Sequence, residues 1–99
     1  MAERLMQNRI VVVGRNNHDA YELARKLDTG DLESPVLVNA ASHRLTILGT
    51  LAGMHIGTVH VSSTAPEGEN WDVARDAIER ARERNPKLRV IEQTRIVSA

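Results

Sequence analysis

Ile10-Val11-Val12-Val13 form an uninterrupted apolar run that ends at Gly14 and leads into an amphipathic stretch beginning near His18. A run apolar at every position, rather than at every second one, belongs to a strand buried on both faces, as in a parallel sheet covered by helices. Parallel neighbours need long crossover connections, so this one strand commits the chain to alternating strands and helices. The next residues comply: Ala20, Leu23, Ala24 and Leu27 recur at i, i+3, i+4 and i+7 and make one apolar helical stripe. Asn16 or Asn17 is placed to cap this helix, and Asp19 stands where the helix dipole favours negative charge. Glu22 and Lys26 form a supportive i, i+4 pair, and Gly30 marks the stop.

The same rhythm continues. Pro35 introduces a short strand, Val36-Leu37-Val38, that ends at Asn39. Ser42 offers a cap for a second helix marked by Leu45, Leu48 and Ala52, with Ile47 and Leu51 beside them, whose end is weakened by Gly49 and Gly53. A third strand is expected over 56–61, with Val59 and Val61 on one face and Thr58 and His60 on the other. The polar stretch 62–69 precedes the clearest helix, about 71–84, which Asn70 caps and Asn85-Pro86 ends. Its acids lie early (Glu69, Asp72), its arginines late (Arg80, Arg82, Arg84), and Val73, Ala74, Ala77, Ile78 and Ala81 mark its buried face. Residues 88–91 read as a fourth strand, with 96–97 as a short addition. The expectation is one α/β domain over 1–99: a small three-layer fold in which a mostly parallel four-stranded sheet, order 2-1-3-4, carries helices on both faces. That order puts the most apolar strand inside and gathers the loops after strands one to three at the carboxyl edge, where open α/β sheets hold ligands.

Composition narrows the function classes. The 13 Lys+Arg balance the 13 Asp+Glu, which argues against a chain built to bind nucleic acid or an anionic membrane. Tyr21 and Trp71 are the only aromatics, so there is no stacking platform for single-stranded nucleic acid. Cysteine is absent, which removes disulfides, a thiol nucleophile and cysteine metal sites. No stretch of about 18 apolar residues exists, and the chain is read as soluble and cytoplasmic. At 99 residues the core is small, so self-association, with a dimer favoured, is the natural supplement.

A strand, a glycine and a helix also open phosphate-binding domains, but the gripping residues are missing. Against the Walker A pattern, Gly14 supplies the first glycine, while Asp19, Ala20 and Tyr21 stand where Gly-Lys-Ser/Thr belong. Asp19 also puts an anion near the helix N-terminus, where a phosphate would otherwise be drawn. Against the dinucleotide fingerprint, Asn16 and Asp19 replace the second and third glycines. The chain resembles small α/β proteins of actinobacterial phages in which the first βα unit looks like a P-loop NTPase whose loop has worn away. The resemblance rests on Ile10 to Gly14, on Asp19-Ala20-Tyr21-Glu22-Leu23-Ala24-Arg25-Lys26-Leu27 and on Pro35-Val36-Leu37-Val38. It implies a non-enzymatic phage protein that binds a host protein in the host cytoplasm, and it transfers no functional residue.

The remaining constellations are weaker. His18, His43, His55 and His60 lack metal-ligand spacing, so no metal or cofactor is expected. Ser42, Ser62, Ser63 and Thr64 supply hydroxyls, with His18 or His43 as a base, but no Gly-x-Ser-x-Gly elbow surrounds them. Arg15, Asn16, Ser42, Arg44 and Ser63 form the best candidate anion pocket, since all are expected at the carboxyl edge beside helix N-termini. Gly49-x-x-x-Gly53 would let another backbone approach the second helix, a spacing with strong meaning only in membranes. Trp71, beside the long polar loop, is either a core plug or an exposed anchor for a partner. The leading expectation is a non-catalytic protein-interaction module that self-associates and binds a host protein. The alternative is a binding module for a nucleotide or other phosphorylated small molecule.

Overall fold

Val11, Val12 and Val13 are each 0% exposed, and that triplet sets the architecture, because adjacent strand residues point to opposite faces and both faces must therefore be covered. The computed structural model describes residues 9–27, 35–52 and 55–92. Strands β1 (Arg9–Gly14), β2 (Val36–Asn39), β3 (Ile56–Val61) and β4 (Arg89–Glu92) alternate with helices α1 (Asn17–Lys26), α2 (Arg44–Leu51) and α3 (Trp71–Arg84), and one 3-10 turn (Ala65–Glu67) precedes α3. The four strands make one parallel sheet in the order β2-β1-β3-β4, as the apolar run at its centre requires. Gly30, Gly53 and the short strand expected at 96–97 lie outside the described residues.

The step from β1 to β2 and the step from β2 to β3 run in opposite directions across the sheet, so right-handed crossovers place their helices on opposite faces. Helix α1 packs alone on β1 and β2, where Val12 and Ala20 are sealed from solvent. On the other face Val11, Val13, Val38, Val59 and Val61 meet Ile47 and Leu51 of α2 and Ala74, Ile78 and Ala81 of α3 in the main core. Each fully buried valine stabilises by about 1.5 kcal/mol or more, so this row dominates the folding free energy. Trp71, Val73 and Ala77 of α3 pack partly buried against the same core. Its outer surface carries solvated ion pairs, Arg80 to Asp76 at 3.4 Å and Arg82 to Glu79 at 3.7 Å.

Three local expectations change. Glu22 pairs with Arg25 at 3.5 Å. The N-cap of α2 is His43, whose Nδ1 accepts from the Leu45 amide at 3.2 Å, while Ser42 sits one residue too early. Within α2 the buried residues are Ile47 and Leu51, and Leu45 and Leu48 are 69% and 38% exposed. Leu45, Leu48 and Ala52 obey helical spacing as well as Ile47 and Leu51 do, so periodicity alone did not tell which stripe faces the sheet.

Candidate functional site

The loops after β1, β2 and β3 meet at the carboxyl edge and are braced against one another. Ladder bonds run on past the strands, with the Ala40 amide donating to the Gly14 carbonyl and the Ser62 amide to the Val13 carbonyl, both at 2.9 Å. The Asn70 amide donates to the Ala40 carbonyl at 2.7 Å, and the Asn70 side-chain amide donates to the Ser42 carbonyl at 2.7 Å. Asn70 thus stands at the N-cap position of α3 but spends its side chain on holding the neighbouring loop.

Asp19 is the hub of this edge. Its Oδ2 accepts three hydrogen bonds: from the Arg15 amide at 2.7 Å, the Ser62 hydroxyl at 2.7 Å and the Thr64 hydroxyl at 2.6 Å. Both hydroxyl protons are committed to the carboxylate, so the 3.0 Å contact between the two hydroxyl oxygens carries none, and Ser62 Oγ accepts instead from the Thr64 amide at 3.1 Å. The Asp19 amide donates to the Asn16 side chain at 2.8 Å, which makes Asn16 the N-cap of α1. Burial by itself raises the Asp19 pKa. The Thr64 hydroxyl, the Arg15 amide, the Ser62 hydroxyl and the Arg15 charge outweigh that effect and hold it below the ordinary 3.8. The carboxylate is ionised at neutral pH and is a poor proton acceptor, so Ser62 and Thr64 are hydrogen-bond donors to an anion rather than hydroxyls activated by a base.

This carboxylate puts a negative charge in the first turn of α1, near the end of the helix to which an external anion would be drawn. The turn beneath it is closed as well. Only Arg15 and Asn16 separate the end of β1 from the start of α1, too little chain to wrap a phosphate. Gly14 permits that shortness: a Cβ there would lie 2.3 Å from the Ala20 nitrogen and 2.8 Å from the Asp19 carbonyl carbon. Its glycine serves the close approach of helix to strand.

The five residues of the expected anion pocket have separate roles. Arg15 gives its amide to Asp19 and brings its exposed guanidinium within 3.8 Å of Glu67. Asn16 is the helix cap, Arg44 opens α2 at an exposed position, and Ser63 is exposed between the two residues that hold Asp19. Ser42 lines a cavity of about 230 Å³ beside β2, together with Asn17, Asn39, Thr46 and Thr50. Among the described residues no cationic side chain lines that cavity. Trp71 belongs to the margin of the core. Among the described residues no three of the His, Asp and Glu side chains converge as a metal-binding set, and no helix is long and apolar enough to cross a membrane.

Sequence reasoning found Asp19 and its effect on phosphate but missed its partners, because Ser62 and Thr64 lie 43 and 45 positions away. Their only advance signal was a pair of hydroxyls directly after a strand. Compared with known proteins, the chain matches no family model, no curated protein and no solved structure.

Proposed function

We propose that this chain is a non-catalytic protein-interaction module, one that self-associates and binds a second protein through its helical surface. One observation carries the reading: the first turn of α1 carries the chain's own Asp19 carboxylate, held there by the Arg15 amide, Ser62 and Thr64. A nucleotide or phosphate ester bound there would have to displace these three hydrogen bonds or approach the negative charge of Asp19. The exposed leucines of α2 offer the opposite kind of surface, apolar and uncommitted. The resemblance to phage proteins makes a host protein the natural second partner.

The test is thermal unfolding in the presence of a panel of nucleotides, phosphate esters and inorganic phosphate. No stabilisation is expected. A ligand at a hundred times its dissociation constant would add about 2.7 kcal/mol, so a reproducible rise in Tm with any member overturns the reading in favour of a small-molecule binding module.

A further inference from the structure

Helix α2 is apolar on two sides and the protomer uses one of them. Ile47 and Leu51 enter the core, 1% and 4% exposed. At 100° per residue, Leu45, Leu48, Gly49 and Ala52 share the opposite side, and all are exposed. A helix that is apolar nearly all round is ordinarily covered all round. Beside this stripe lies a groove of about 440 Å³ between α2 and α3, with Leu48, Leu51, Ala52 and Ala77 along it and Arg80, Glu83 and Arg84 at its rim.

Gly49 is the second observation. A Cβ at Gly49 would have nothing within 4 Å among the described residues, so no contact with them calls for glycine there. Glycine in a helix interior is destabilising relative to alanine. Its use on the exposed apolar side is accounted for by a helix backbone crossing close to it.

We propose that this face of α2 seats the α2 of a second copy of the chain, antiparallel across a two-fold axis near Gly49, with Leu45 of each copy in the α2–α3 groove of the other. This deepens the self-association in the proposed function and rests on that reading. A second copy fits for two reasons. First, the protruding Leu45 and the receiving groove around Ala52 lie on one helical face about two turns apart, with Gly49 near their midpoint, so a two-fold operation satisfies both at once. Second, the groove rim carries both signs, Arg80 and Arg84 beside Glu83, and the whole chain has a formal net charge of zero, so two identical copies meet without a uniform field opposing them. A strongly basic partner would be repelled by Arg80 and Arg84, and a strongly acidic one by Glu83.

Sedimentation velocity across the micromolar to millimolar range tests this on the full chain. The wild type is expected to be in monomer–dimer equilibrium, and Leu45→Glu to raise the dimer Kd by at least about tenfold. Leu45 is 69% exposed, so circular dichroism of that variant should match the wild type. Gly49→Ala gives a readout of opposite sign: a higher Tm at dilutions where only protomer is present, yet weaker dimerisation at high concentration. A wild-type dimer untouched by both variants overturns this interface and leaves the interaction reading standing. A wild type that stays monomeric throughout overturns both the interface and self-association.

Discussion

Replacing Asp19 by alanine probes the hub at the carboxyl edge, and the structure allows the cost to be apportioned. The Arg15 amide lies at an exposed position, so it turns to water with a loss of about 0.5–1 kcal/mol. The Ser62 and Thr64 oxygens are 3.0 Å apart, so one hydroxyl can donate to the other once the carboxylate is gone. The remaining part-buried hydroxyl loses its acceptor, which costs about 1–2 kcal/mol. Removing negative charge from the first turn of α1 adds about 0.5 kcal/mol. Asp19→Ala should therefore destabilise by about 3 kcal/mol in urea unfolding at neutral pH. Asp19→Asn keeps an acceptor in the Oδ2 position and loses only the charge, so about 1 kcal/mol is expected. The pH dependence has a definite sign. Because the folded pKa lies below 3.8, the ionised form's contribution is complete above 3.8 and disappears as pH falls through the lower folded value. The wild-type and Asp19→Asn stability curves should converge there. A double-mutant cycle with Thr64→Val should return a coupling of about 1 kcal/mol or more. An Asp19→Ala cost under about 0.5 kcal/mol, or a gap between wild type and Asp19→Asn that persists into acid, would refute the hub.

Two further outcomes follow from the fold. Gly14→Ala forces a Cβ to within 2.3 Å of backbone in α1, which cannot swing aside as a side chain would, so a loss of about 3 kcal/mol or more is expected in the same urea assay; near-neutral behaviour would mean that the β1–α1 turn is looser than described. His60, on the face of β3 opposite the main core, is held below the ordinary imidazole value of 6.5 by burial and, secondarily, by the Arg89 charge, and its Nδ1 has no hydrogen-bond partner among the described residues. The unfolded chain takes up that proton first, so stability should fall as pH drops through 6.5, and His60→Gln should flatten that part of the curve. An NMR titration giving His60 a pKa at or above 6.5 would contradict this.

The parts of the structure that were legible in the sequence are those dictated by local pattern. Four consecutive apolar residues at 10–13 demand cover on both faces, and the interior position of β1 in the 2-1-3-4 order follows from it. Asn16 as a cap and Asn85-Pro86 as a stop were equally readable, since a cap acts within its own turn. The brace around Asp19 was not readable, because its two hydroxyl donors come from the far side of β2, α2 and β3, and register rather than composition brings them together. Helix α2 failed for another reason. Two apolar stripes share eight residues, and only the sheet decides which of them turns inward.

The Asp19 carboxylate can be viewed as a ligand that never dissociates. Its covalent link to α1 gives it an effective concentration in its seat of at least the millimolar order expected of a short tether, so a free anion contends with an occupant that dilution cannot remove. Truncating that occupant has a constructive side. Asp19→Gly would leave the Arg15 amide and one of the Ser62 and Thr64 hydroxyls as free donors around the space that the carboxylate filled. That space would then offer its donors to a free anion.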